Sequence, residues 1–168
     1  MGALSYWRRA DIGAGIVEAA NMAEEWLYSL APENRANRDR WAAVVAAAEV
    51  ANGLPATLLD RLIWRESRYR TDIITGAFKS SAGAVGIAQF MPATAARFGV
   101  DPLNPDSALP GAARYLRTLY NEFGDWRLAV AGYNAGEGNI RKYAPGLPPF
   151  AETRAYVAEI VDSHGGFA

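Results

Sequence analysis

Apolar runs at helical spacing, cut short by glycine and proline, are what most limits how this chain can fold. "WAAVVAAAEVANG" reads as a buried helix stopped at Gly53, and "PATAARFG" as a short helix from Pro92 to Gly99. Glycine at a helix end takes the left-handed conformation that closes the last turn. "LPATLLDRLIWRES" follows, with Pro55 placed at a first helical position. After the turn "DPLNP", Asp106 is the expected cap of a helix through "ARYLRTLYNEFG". "WRLAVAGYNAG" is a further helix ending in glycines, "GNIRKY" supplies another turn or two, and "AETRAYVAEIVDSHGG" is the last helix. Between them, "RTDIITGAFKSSAGAVG" is loop-like, with "DIIT" a candidate short strand. The expectation is a mainly α, single compact helical domain with at most a small β excursion near residues 72–80.

Composition agrees with that reading and narrows the function. The 168 residues are 51% hydrophobic and 21% charged, which suits one soluble domain with a sizeable core. β-Branched runs are few, which favours helix. The polar stretch "APENRANRDR" is read as a break. It separates an N-terminal helical arm, residues 1–40, from the main domain, residues 41–168. Within the arm, Ile12, Ile16, Ala19 or Ala20, Ala23 and Leu27 fall near helical spacing. A net charge of −1 gives no field to draw the chain to nucleic acid or to an anionic membrane. No stretch approaches the ~18 apolar residues of a membrane span. "MGALSYWRRADIGAG" does not read as a secretory signal, although Met1-Gly2 is compatible with trimming. Cysteine is absent, which removes thiol nucleophiles and thiolate metal sites. The single histidine, His164, rules out a zinc site built on several histidines and reads as a polar helix-end residue. No metal and no cofactor is expected.

The chemistry-bearing candidate is Glu66, in "LIWRESRYR". Ile63, Leu62 and Leu59 precede it at spacings that share one helix face. That register turns the carboxyl inward, while Asp60, Arg61 and Arg65 fall elsewhere. Desolvation disfavours the charged form, so an inward carboxyl keeps its proton toward neutral pH, as a general acid must. The plain alternative is a solvated glutamate or one half of an ion pair with Arg65, Arg68 or Arg70. The segment alone leaves both open.

"RESRYR", "SSAGAVGIAQFMPATAARFG", "AVAGYNAGEGNI" and "FAETRAYVAEIV" occur in that order and at compatible spacing. Together they resemble the soluble lytic transglycosylase family, which shares the goose-type lysozyme fold. The resemblance runs from about Trp41 to Val161 and leaves out the arm. It implies a lysozyme-like α+β fold and makes Glu66 the one catalytic carboxylate, with Ser67 supporting the helix end. It places Ser80 near that carboxylate and sets Gln89 and Met91 along a sugar cleft. Tyr133 is expected to hydrogen-bond near Glu66, and Asn134 to shape the site. Glu152 and Tyr156 match the acidic and tyrosine positions of the last motif. Two departures stand out. Ala88 replaces a common methionine, and "GEGNI" replaces the commoner Gly-Pro-Gly-x-Val. Singly, Met91, Tyr133 and Tyr156 also read as packing residues.

Glycosidases ordinarily use two carboxylates. No second motif acid plainly faces Glu66, and Asp72, the nearest in sequence, lies in a loop-like stretch. A lone acid suffices if the substrate supplies the nucleophile. In peptidoglycan the muramic N-acetyl group can stabilise the developing cation, and the muramic 6-hydroxyl can attack. The resemblance thus implies cleavage of the β-1,4 bond between N-acetylmuramic acid and N-acetylglucosamine, leaving a 1,6-anhydromuramoyl end. Water as the attacking group would give hydrolysis instead. The competing readings are a murein endopeptidase and a catalytically silent wall-binding module. The expected partner is the peptidoglycan glycan strand, in the bacterial periplasm and cell wall. A bacteriophage lysin or virion-borne entry enzyme is the favoured setting, with a secretion or conjugation enzyme as the runner-up. The N-terminal helix is expected to pack on the domain, with docking to a particle or partner protein as the alternative.

Overall fold

The computed structural model describes residues 31–164. The expected helix between Asp11 and Leu30 lies outside the described residues. In chain order the helices are α1 (Pro32–Asn52), α2 (Leu58–Ser67), α3 (Thr71–Ile74), α4 (Pro92–Phe98) and α5 (Pro105–Phe123). Then come α6 (Trp126–Ala135), α7 (Glu137–Tyr143) and α8 (Ala151–Ile160), and a 3₁₀ turn, Asp162–His164. The mainly helical expectation holds.

Several local readings are corrected. "APENRANRDR" is not a break, because α1 starts at Pro32 and runs through it to Asn52. The expected boundary between residues 40 and 41 therefore falls inside a helix. The polar side chains there tie α1 to its neighbours: Asn37 Nδ2 donates to the Tyr69 carbonyl (3.0 Å), and Arg38 pairs with Asp60 (2.6 Å). "DIIT" belongs to the short helix α3, and the isolated β-bridge among the described residues joins Val85 and Phe90 instead. Pro55 precedes α2 rather than opening it. The cap of α5 is Asn104, whose side chain accepts from the Asp106 N–H at 3.0 Å. The glycine stops are where expected, with Gly53 and Gly99 both left-handed (φ 58° and 62°).

Helix α6 is the hub. It packs against α5, α7 and α8, while α1 packs along α5 and α2. Its run Leu128, Ala129, Val130, Ala131 and Gly132 is buried, and Gly132 sits where a Cβ would lie 3.0 Å from Leu119. Small residues let α5 approach closely here. The apolar stripe of α2 (Leu58, Leu59, Leu62 and Ile63) is fully buried, and each such side chain contributes about 1.5–3 kcal/mol. That stripe fixes the rotation of α2, and with it the direction of Glu66.

Helix α2 begins without a side-chain cap of its own. The buried Glu49 of α1 supplies one, accepting from the backbone N–H of Thr57 (3.1 Å) and Leu59 (2.8 Å). A carboxylate at a helix N-terminus satisfies orphan donors and opposes the helix dipole. At its other end α2 closes through Arg68 and Tyr69, both at positive φ (50° and 53°). Ser67 holds that turn. Its Oγ donates to the Ile63 carbonyl (3.1 Å) and accepts from the Tyr69 N–H (3.2 Å).

Candidate active site

Glu66 emerges in the last turn of α2, on the side facing α8. Burial pushes its carboxyl up to about 7, against the opposing pull of the Tyr156 hydroxyl and of Arg65, while the charge of Glu152 adds to the rise. The Tyr156 hydroxyl donates to Glu66 Oε1. Tyr156 is itself only 2% exposed, so the carboxyl's partner is held in the core. With Oε1 occupied as an acceptor, Oε2 is the oxygen left to carry an acid proton.

The ion-pair alternative for Glu66 is answered by where the arginines go. Arg65 pairs with Glu159 (2.9 Å) and lies over the Tyr156 ring (5.6 Å to the centroid). Arg70 pairs with Asp72 (2.5 Å), and Arg68 lies over the Trp64 ring. Asp72 is thereby held below its ordinary range by the Arg70 hydrogen bond, at an exposed position. It is a solvated ion-pair member rather than a second acid in an apolar setting.

Tyr133 makes its hydrogen bond beside the Glu66 carboxyl, not to it. Its hydroxyl donates to the Ala88 carbonyl at 2.8 Å, and the hydroxyl that reaches Glu66 belongs to Tyr156. Tyr133 nonetheless lies beside the carboxyl. Burial pushes its phenol well above the ordinary range, and the charge of Glu66 adds to that rise. Its hydrogen bond fixes the turn before Gln89, a non-glycine residue at φ 48°. The Gln89 amide Nε2 donates to the Gly86 carbonyl (2.9 Å), and Val85 and Phe90 bridge across the turn. Gly86 is required there, at φ 77°, where a Cβ would come 1.7 Å from the Pro102 carbonyl oxygen.

The remaining expected residues divide between exposed surface and supporting contacts. Met91 is exposed (44%) at the end of this turn. Ser80 Oγ accepts from the Ala84 N–H (2.8 Å), so it ties its own loop. Asn134 accepts from the Thr153 hydroxyl (2.7 Å), a bond that joins α6 to α8. Glu152 is exposed in the first turn of α8. The Ala88 side chain is fully buried. The sequence reading missed Thr153, Glu49 and the Asp60 cluster, in which Tyr69 donates to Asp60 at 2.8 Å. It also missed Tyr115 and Glu137, whose bond lies behind Tyr133. No group of three or more His, Cys, Asp or Glu side chains suited to a metal ion occurs among the described residues.

The arrangement can donate and accept a proton at one atom. Glu66 is a half-buried acid near its midpoint at neutral pH, oriented by a buried phenol and flanked by a turn that displays backbone and an amide side chain.

Comparison with known proteins places the chain among relatives. The Transglycosylase SLT domain family matches residues 43–146. The chain is 37% identical over 99 residues to the peptidoglycan transglycosylase of Escherichia phage T7, covering 54% of this chain and 7% of that one. It is 32% identical over 107 residues to the soluble lytic murein transglycosylase of Salmonella typhimurium, covering 49% of this chain and 17% of that one. The chain thus spans a small part of these relatives' length. Among solved structures, the complex of the 70-kDa soluble lytic transglycosylase with bulgecin A aligns with a TM-score of 0.64 at 24% identity, covering 74% of this chain and 23% of that one. An inactive glutamate-to-glutamine mutant of the lytic transglycosylase Slt from Pseudomonas aeruginosa aligns with a TM-score of 0.59 at 28% identity, covering 73% and 23%. The fold is therefore that of the lytic transglycosylases.

Proposed function

The chain belongs to the transglycosylase SLT domain family, and from that premise we propose that it cleaves the peptidoglycan glycan strand with Glu66 as its one catalytic acid and base. The single observation that carries this reading is the Glu66 carboxyl, pushed by burial to about 7 and held by the Tyr156 hydroxyl. In the first half of the reaction Glu66 gives its proton to the oxygen of the β-1,4 bond between N-acetylmuramic acid and N-acetylglucosamine. The muramic N-acetyl oxygen stabilises the positive charge that grows at C1. In the second half the ionised Glu66 takes the proton of the muramic 6-hydroxyl as that oxygen attacks C1, closing a 1,6-anhydro ring. No water is consumed, and Glu66 ends as it began, protonated.

Support for a substrate-supplied nucleophile lies in the acids around the site. A second carboxylate acting as nucleophile or water-activating base would stand roughly 5–9.5 Å from the first. Asp72 is committed to Arg70, and Glu152, whose charge reaches Glu66, is exposed and raises its proton affinity. Gln89, Met91, Ser80, Asn134 and Glu152 are proposed to border the glycan, and Tyr133 and Tyr156 to hold the groups that touch it.

Mass spectrometry of digested cell walls separates the outcomes. Anhydromuramoyl ends support the reading, reducing muramic ends replace it with hydrolysis, and free peptide termini replace it with an endopeptidase. An absence of soluble fragments points to a wall-binding module. Likeness to the phage T7 protein supports delivery to the wall by a phage particle, with the residues ahead of α1 as the attaching segment. Peptides of this chain in washed particles are the expected result, and their absence would argue for another route.

A further inference from the structure

The "GEGNI" departure puts Glu137 where a proline is commoner, and the structure gives that glutamate partners. Its carboxylate makes a two-pronged pair with Arg97, with Arg97 Nη2 at 3.1 Å from Oε2, and accepts from the Tyr115 hydroxyl at 3.0 Å. The Arg97 hydrogen bonds hold Glu137 below its ordinary range, so it is ionised wherever the enzyme is assayed near neutrality. Tyr115 is buried (5% exposed), and its phenol is pushed up, first by burial and then by the Glu137 charge. Its ring packs on Phe98 (5.0 Å between centroids) and on Tyr133 (5.2 Å), and Tyr133 packs on Phe90 (6.2 Å). The chain of contacts therefore runs from Glu137 through Tyr115 to Tyr133, and on to the Ala88 carbonyl that Tyr133 holds. Gln89, at its positive φ, is the next residue.

We propose that Glu137 is a positioning residue for glycan binding, acting through Tyr115 and Tyr133 on the backbone of the Gln89 turn. The physical argument is one of degrees of freedom. A non-glycine residue in the left-handed region persists only when its surroundings over-determine it. Here the carbonyl on its N-terminal side accepts from the side chain of Tyr133, whose ring is located by Tyr115. Tyr115 is in turn located at its hydroxyl by a charged acceptor, and charge-assisted bonds are the stronger kind. Glu66 and Tyr156 stand on α2 and α8 and hydrogen-bond each other rather than Tyr133, so loosening the chain of contacts acts first on the sugar-binding turn. The inference rests on the glycan-cleaving reading.

The test measures equilibrium affinity, which does not depend on turnover. A soluble peptidoglycan tetrasaccharide is titrated calorimetrically into the full chain carrying Glu66→Gln, alone and with Glu137→Gln, Gln89→Ala or both. Near-UV circular dichroism confirms that each variant is folded, and Tyr115→Phe gives an independent way to break the same bond. The expected result is a Kd raised about tenfold by Glu137→Gln and by Tyr115→Phe, with no further rise when Glu137→Gln is added to Gln89→Ala. An unchanged Kd, or a rise of the same size in the Gln89→Ala background, overturns the inference and leaves the assignment of Glu66 intact. Absence of glycan binding by the Glu66→Gln parent sinks the functional reading, and this inference with it.

Discussion

Glu66 unites the local physics of the site. A carboxyl that folding pushes from 4.5 to about 7 binds its proton more tightly in the native state than in the unfolded one. The unfolded chain loses that proton first, so stability falls as pH rises through the window from about 4.5 to about 7 and is flat beyond it. The deficit above that window is on the order of 3 kcal/mol. Glu66→Gln removes the ionisable group while keeping the shape. The variant should therefore melt several degrees above the parent at pH 8 and converge with it near pH 4, as thermal denaturation followed by circular dichroism will show. Equal melting temperatures at pH 8 would mean that the carboxyl is well solvated. The inward register of Glu66 was legible from Leu59, Leu62 and Ile63, because helix geometry alone sets it. Its partner was not. Tyr156 is distant in sequence and Tyr133 is also a motif tyrosine, and no local pattern says which phenol reaches across.

At the scale of elements, the site depends on how α2 starts and how the Gln89 turn is made. Glu49 accepts the N–H groups that open α2 and lies buried between the two helices. Glu49→Ala should cost about 2 kcal/mol, from a lost cap and unpaired donors, measured by urea denaturation with the slope unchanged. Glu49→Gln keeps one acceptor and should cost less. Gly86→Ala forces a Cβ against the Pro102 carbonyl at a positive φ. It should cost at least about 2 kcal/mol and weaken glycan binding in the same protein. A neutral result for either variant contradicts the corresponding contact. The glycine and proline punctuation made most helix ends readable, since φ restrictions act on single residues. The start of α1 was misread because charged residues were taken for a loop. They are the outer face of a helix plus cross-ties to Asp60 and Tyr69, and polarity alone does not distinguish those cases. "DIIT" was ambiguous for a related reason: a short apolar run has no period long enough to separate strand from helix.

Over the whole molecule, the buried hub α6 holds the site's parts in register. Its N-terminal end is capped by Asp125, its middle packs on α5, and its last turn delivers Tyr133 and Asn134. Asn134 then fastens α8 through Thr153, which brings Tyr156 to Glu66. The order of motifs along the chain revealed which segments assemble, while tertiary packing decides which atom meets which. The most direct test of the account is the rate at which the Glu66→Gln protein releases soluble fragments from purified cell walls, compared with the parent at pH 6 and pH 8. The account predicts a loss of about 10²–10⁴-fold in the variant, and in the parent a rate that declines as pH rises through about 7. A Glu66→Gln protein that is folded and releases fragments at the parent's rate would contradict it.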